Sequence, residues 1–285
     1  MGCLSCAASM YERLGMVLTR RESSAVPVDG SSISPDRFLG LGAREIASLP
    51  AAYGREEVTL GDLFDVEGVA PESIVVDGDV AAVRNIGRGM TRGEVLVTGD
   101  VGPHTGAGMK GGEIRVQGSA GDWLGAHIAG GRIVVDGDGA AFVGAAHTGE
   151  RHGASGGLIL VQGSVGRECA TSMRRGLMVV LGGAGEFAGA GMDGGTLVVA
   201  GGLGGDAGRG MRRGSIVALG GVAGVSAGFA YCSTYRPVFL RYYATRLAEW
   251  GLLGAAAVAE GVFRRYMGDG DVAGRGEILV RDESE

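Results

Sequence analysis

A unit of 19 residues recurs along most of this chain, and that recurrence restricts the possible folds more than any other feature. Cut after each diglycine or Arg-Gly, the sequence falls into register. Residues 94–112 read EVLVTGDVGPHTGAGMKGG, 113–131 EIRVQGSAGDWLGAHIAGG, 158–176 LILVQGSVGRECATSMRRG, 177–195 LMVVLGGAGEFAGAGMDGG and 196–214 TLVVAGGLGGDAGRGMRRG. Residues 73–93 form a slightly longer early copy, 132–157 a copy with an insertion of about seven residues, and the copy that begins at Ser215 decays after Gly228. A fixed period of this length marks a stacked architecture in which each unit contacts its neighbours.

Each unit opens with a short β-branched or leucine-rich run, such as Ile133-Val134-Val135. A glycine-bearing turn follows, then a second short extended segment ending near Met, then another glycine turn. One unit cannot bury its own apolar face. Stacked at the strand spacing of about 4.8 Å, successive units pair their backbones and continue one core.

Stacking turns repeat positions into ladders. Met90, Met109, Ile128, Ala154, Met173, Met192 and Met211 share a position three residues before the closing glycine. Methionine fills irregular gaps, so this ladder reads as core. Gly99, Gly118, Gly137, Gly163, Gly182, Gly201 and Gly220 form another. The chain has 58 glycines in 285 residues. At that content GxGxxG-like strings arise by chance, and without a strand-loop-helix unit they do not indicate a nucleotide site.

Hydrophobic residues make up 45% and charged residues 20%, enough for a packed core. The formal net charge of -6 argues against nucleic-acid binding. Lys110 is the only lysine; arginine suits paired hydrogen bonds to carboxylate or phosphate, and a GC-rich genome gives the same bias. Cys3, Cys6, Cys169 and Cys232 are too few for a disulfide framework. The lone CxxC at Cys3 and Cys6 lacks the second pair that a zinc site needs, and it precedes Met10 and Met16, as expected of a segment upstream of the natural start. Neither a signal peptide nor an apolar run of membrane-spanning length is evident, so a cytoplasmic protein with no membrane or nucleic-acid partner is expected.

The ends read as caps for an otherwise open stack. Residues 1–72 are expected to form an N-terminal segment and cap, 73–228 the glycine-rich solenoid, and 229–285 a helical cap and tail. In the last, Phe239, Tyr243, Leu247 and Trp250 recur at helical spacing and should face the last coil, leaving Leu240 and Tyr242 toward a partner; a second helix is expected over 252–267. His147 and His152 in the insertion are five residues apart and lack an adjacent Cys or carboxylate triad, which favours an exposed interface loop over a metal site.

The repeated GxxG…GMxxG coils resemble the β-helix shared by large-subunit glutamate synthase and by the C subunit of formylmethanofuran dehydrogenase. The second resemblance extends to SISPDRFLGLGAREIASLP (32–50), VTLGDLFDVEG (58–68), the long coil containing GAAHTGERHGASGG (144–157) and RRYMGDGDVAGRGEILV (264–280). It implies an all-β fold: a right-handed parallel β-helix of about seven coils with an N-terminal cap and a C-terminal helical segment. It also implies membership of a hetero-oligomeric complex whose chemistry lies on other subunits. In methylotrophic bacteria that complex is a formyltransferase/hydrolase, which moves formyl groups from a tetrahydromethanopterin carrier to a methanofuran-like carrier and releases formate. In archaea it is a molybdenum or tungsten formylmethanofuran dehydrogenase. The arginine-rich composition favours the bacterial form.

No catalytic residue, no metal ligand and no covalently bound cofactor is expected, and Cys runs for iron–sulfur clusters are missing. A polysaccharide-cleaving β-helix would need paired acids along a groove; Asp122, Glu186 and Asp206 fall near one repeat position, whereas Asp79, Asp100 and Asp138 are scattered. The candidate binding residues are Lys110, Arg174, Arg175, Arg212 and Arg213, which precede closing glycines together with Arg92. Stacked, they should form a basic row, broken at Asp193, able to hold the glutamate tail of the furan-type carrier. A solvated charged corner or a salt-bridged interface with another subunit is the alternative.

Overall fold

The computed structural model describes residues 15–249 and 260–282; Cys3, Cys6 and Trp250 lie outside them. The described chain is mostly β, with few helices. In chain order the strands are β1 (Met16–Arg20), β2 (Val28–Asp29), β3 (Pro50–Tyr53), β4 (Glu56–Thr59), β5 (Phe64–Gly68), β6 (Ser73–Asp77), β7 (Val83–Arg84), β8 (Glu94–Val97), β9 (Lys110–Val116), β10 (Gly130–Val135), β11 (Ser155–Val161), β12 (Arg175–Val180), β13 (Asp193–Val199), β14 (Arg213–Ala218), β15 (Ala230–Tyr235), β16 (Phe263–Gly268) and β17 (Gly276–Arg281).

Thirteen of these form one sheet in the order β15-β16-β17-β14-β13-β12-β11-β10-β9-β8-β6-β1-β5. The strands opening the repeats pair in parallel, with Val95 opposite Ile114, Ile114 opposite Ile133, Met178 opposite Leu197 and Leu197 opposite Ile216. That register is the 19-residue period expressed in hydrogen bonds. A second ladder of single bridges runs Val80, Val101, Ala120, Gly139, Val165, Ala184, Leu203, Val222.

Alternate strand residues point to opposite faces. Ile114, Val116, Ile133, Val135, Ile159, Val161, Leu197 and Val199 enter one continuous core together with the methionine ladder, whose seven residues are all buried. The glycine ladder has a different cause from that of the turns. A Cβ added at Gly118, Gly137, Gly163, Gly182, Gly201 or Gly220 would lie 2.5–2.8 Å from the backbone of the ladder glycine one repeat earlier. Glycine is required there by close approach, not by a left-handed φ.

Cys169 belongs to the same core, fully buried, and burial pushes its thiol up to about 12. Because the thiolate is the reactive form, Cys169 should resist alkylation in the folded chain, whereas exposed Cys232 should react. Peptide mapping after brief maleimide treatment checks this; early labelling of Cys169 would contradict its placement in the core.

The expectation for the C-terminal part needs correction. The helix forms at Leu240–Glu249 with Leu247 buried, Tyr243 packed on the sheet and Tyr242 exposed, as expected, but Leu240 is buried and Phe239 exposed, the reverse of their expected placement. It packs on the outer face of the sheet, where Val134, Leu160, Val179, Val198 and Val217 are also apolar, and not on the end of the stack. Those outward residues make the sheet apolar on both sides and so demand a cover. The Tyr243 hydroxyl meets the Thr196 hydroxyl at 2.9 Å. The second expected helix, 252–267, lies partly outside the described residues; its last part is strand β16.

The end of the stack is continued by β17, which pairs in parallel with β14, with Ile216 opposite Ile278. Strands β16 and β15 then add antiparallel. At the other end β1 pairs in parallel with β6 and antiparallel with β5, and a small sheet of order β4-β3-β2-β7 adjoins. At both ends the parallel order therefore gives way to antiparallel strands. No helix among the described residues is long and apolar enough to cross a membrane.

Candidate functional site

The turns place three left-handed residues, alternating with buried ones, in most repeats. His104, Gly106 and Gly108 have positive φ, as do Trp123, Gly125 and His127, and Phe187, Gly189 and Gly191. The first of the three stacks from repeat to repeat as Asn85, His104, Trp123, Phe142, Glu168, Phe187 and Asp206, all at φ between 54 and 67°. Asn, Asp and His tolerate that conformation; a bulky aromatic there is an outlier that invites a functional explanation.

His104, Trp123 and Phe142 form a continuous strip. Trp123 and Phe142 stack with ring centroids 4.4 Å apart and planes 9° from parallel, and His104 lies 6.3 Å from Trp123, also at 9°. The Arg167 guanidinium sits 5.3 Å from the Phe142 centroid. The insertion folds back over this strip, bringing His147 to 4.7 Å from Trp123 and 5.3 Å from His104.

All four histidines of the chain meet here. His127 Nδ1 lies 2.8 Å from the His152 carbonyl oxygen, and His127 Nε2 lies 2.7 Å from His147 Nδ1 and 2.7 Å from a Glu150 carboxylate oxygen. His147 Nε2 is 3.3 Å from His104 Nδ1. Burial, and then the neighbouring imidazole, holds both His104 and His147 below the ordinary histidine range, which favours neutral rings. A half-buried aromatic strip beside a set of nitrogen and carboxylate donors can stack a planar ring or coordinate a cation.

The insertion by itself does not disclose this site, because the partners of His147 lie 20 and 43 residues away along the chain. The signal that could have found it is the repeat column, in which His104, Trp123 and Phe142 align at successive copies. The interface-loop expectation rests on the spacing of His147 and His152 and on the lack of an adjacent Cys or carboxylate triad, whereas the fold brings His127 from the preceding repeat to His147 and Glu150.

The basic residues expected to form a row are all exposed. Arg175 opens β12 opposite Ser155, and Arg213 opens β14 opposite Asp193. The Arg174 amide donates to the Ala154 carbonyl and the Arg212 amide to the Met192 carbonyl. The two arginine pairs therefore stand two repeats apart, about 10 Å, with Asp193 between them. Lys110 is separated from Arg174 by two repeats carrying Ala129-Gly130 and Ser155-Gly156. The fold thus groups the four arginines and leaves Lys110 apart.

Several acids considered for sugar chemistry serve the stack itself. Asp100 accepts the Ser119 amide at 2.7 Å, Asp122 the Ala141 amide at 2.9 Å and Asp138 the Ser164 amide at 2.7 Å. Each satisfies a backbone donor of the following repeat.

No family model matches the chain. It is 40% identical over 96 residues to the C subunit of the tungsten-containing formylmethanofuran dehydrogenase 2 of Methanothermobacter marburgensis, covering 32% of this chain and 36% of that protein. It is 36% identical over 75 residues to the C subunit of the formyltransferase/hydrolase complex Fhc of Methylorubrum extorquens, covering 26% and 28%. These alignments span about a third of the curated relatives' length or less. Among solved structures, a chain of the formyltransferase/hydrolase complex (FhcABCD) from Methylorubrum extorquens in complex with methylofuran superposes with a TM-score of 0.87. The identity is 35%, over 94% of this chain and 100% of that one.

Proposed function

The chain belongs to the family formed by the C subunits of formylmethanofuran dehydrogenases and formyltransferase/hydrolase complexes, and we propose that it is the non-catalytic scaffold subunit of a complex of the second kind. In that role it assembles with the other subunits in the cytoplasm. The complex moves formyl groups from a tetrahydromethanopterin carrier to a methanofuran-like carrier and releases formate. The observation that carries this proposal is the likeness over nearly the whole chain to a chain of the bacterial complex; the archaeal relatives match over shorter stretches. A scaffold role accords with acids committed to stacking.

The same proposal takes the repeats as a right-handed parallel β-helix of about seven coils spanning 73–228, with residues 1–72 and 229–285 as flanking units. Parallel strands joined by crossovers are right-handed with few exceptions, and the 19-residue register supports the winding. Lys110, Arg174, Arg175, Arg212 and Arg213 are assigned to holding the glutamate tail of the carrier, with the four arginines as its main contacts. Carboxylates suit the arginine fork, and a tethered carrier raises the local concentration of its formyl group at neighbouring active sites.

The purified chain alone is expected neither to transfer nor to hydrolyse formyl groups, and its deletion is expected to lower the yield of assembled complex. Formate release by the isolated chain above that of a denatured control would overturn the scaffold assignment.

A further inference from the structure

Three groups converge on His127 Nε2. Its partner nitrogen, Nδ1, faces only the His152 carbonyl oxygen, which can accept but not donate, so Nδ1 carries a proton. Nε2 then has a lone pair if the ring is neutral, and the backbone N–H of His147 points at it from 3.1 Å. Yet a Glu150 carboxylate oxygen, which can only accept, lies 2.7 Å from the same atom, and His147 Nδ1 lies 2.7 Å away. Protonating Nε2 would satisfy Glu150 but set a proton against the His147 amide. One ring nitrogen has either one proton or one lone pair, and neither serves all three neighbours; a cation there would serve His147 Nδ1 and Glu150 together, with the His147 amide turned aside as the loop adjusts.

We propose that His127 Nε2, His147 Nδ1 and a Glu150 carboxylate oxygen bind a zinc ion, which pins the inserted loop to the preceding repeat. The three donor atoms lie within 4.8 Å of one another. Bonds of 2.0–2.2 Å in tetrahedral geometry need donor separations of about 3.3 Å, so His147 Nδ1 and the Glu150 oxygen, each 2.7 Å from His127 Nε2, must each draw away from it by about 0.6 Å. Glu150 is exposed on the loop, which can supply that movement.

The surroundings fit a metal site. Coordinating histidines commonly fix their second nitrogen to a carbonyl or another acceptor, as His127 does to His152 and His147 does toward His104. Trp123, packed on His147, limits the tilt of that ring. His152 Nδ1 is buried without a partner beside the group. Two imidazoles and one carboxylate favour zinc over calcium or magnesium, which prefer oxygen alone. Three protein donors leave a fourth position for water or an anionic ligand. The site is independent of the role assigned to the arginines.

The test uses the full chain with Cys3→Ser and Cys6→Ser, so that the CxxC cannot contribute. After treatment with chelator, zinc titrated against a chromophoric competitor should bind at one ion per chain. Cobalt in its place should give the visible band of a four-coordinate site. Glu150→Gln should weaken zinc at least about tenfold, the loss typical of even an outer partner. His127→Ala with His147→Ala should abolish stoichiometric binding. Zinc should also slow tryptic cleavage after Arg151 in the chain retaining all three donors. Absence of stoichiometric zinc in that chain would overturn the proposal, and so would its undiminished retention in the double variant. If the double variant fails to fold, the Glu150→Gln affinity and the cleavage rate at Arg151 decide: both unchanged contradicts the site.

Discussion

Gly182→Val should destabilise the folded chain by at least about 3 kcal/mol, a fall in Tm of roughly 6–12 °C for a chain of this size. A Cβ at Gly182 would sit 2.5 Å from Ser164 Oγ and 2.6 Å from the Gly163 carbonyl carbon and oxygen. The hydroxyl can rotate away, but the Gly163 backbone cannot. Its carbonyl accepts the Gly182 amide at 2.9 Å, and Gly182 in turn accepts from Gly201 at 2.9 Å. Displacing one rung therefore loosens two repeat interfaces. Gly205→Ala is the matched control: no atom lies within 4 Å of its added methyl and its φ is not left-handed. It should change stability by no more than about 0.5 kcal/mol. Thermal melts monitored by circular dichroism compare the two, and equal Tm values would contradict the close-packed ladder.

Replacing Arg174, Arg175, Arg212 and Arg213 together by glutamine should release the furan-type carrier from an assembled complex. All four side chains are exposed, and the ion pairs that tie neighbouring repeats, such as Arg115 to Asp136 and Arg132 to Glu113, use other arginines, so their removal leaves the stack intact. An exposed electrostatic anchor weakens with salt. The wild-type complex should therefore hold its carrier at about 0.1 M salt and lose part of it near 1 M, where the screening length is about 3 Å. The variant should lose it at both. Lys110→Gln alone should have a small effect, because two repeats separate it from the arginines. The readout is carrier retained per complex by mass spectrometry after gel filtration. Full retention by an intact quadruple variant would show that the arginines are solvated charges or contacts to another subunit.

The stack is legible in the sequence itself, because the period, the methionine ladder and the glycine ladder all follow from one alignment of the repeats. What stays hidden lies where a repeat is detached or where partners come from different copies. RGEILV at 275–280 is nearly RGEVLV at 92–97, and in the fold it supplies the strand after β14. The tail carries that information, but its distance from the last intact copy hides it. The helix Leu240–Glu249 keeps Tyr243 and Leu247 on the sheet as expected, but its buried face extends to Leu240 and Ala244 instead of Phe239, because the sheet below accepts the smaller aliphatic side chains and leaves the larger aromatic ring at the edge. The histidine group is invisible to local spacing, since stacking converts a separation of 20 residues into neighbouring rungs. The aromatic strip can be found by reading columns of the repeat instead of local motifs; the direction in which the insertion folds cannot.

Affinity purification of the tagged chain from its native cells, with mass spectrometry of everything that accompanies it, tests whether it is a subunit of the formyltransferase/hydrolase complex. A stable hetero-oligomer is expected, containing formyltransferase and formyl-hydrolase subunits and a methanofuran-like carrier, with formate produced from a formyl pterin only by the whole assembly. Recovery of the chain alone from cells in which those subunits are abundant, or with unrelated partners and no carrier, would contradict it.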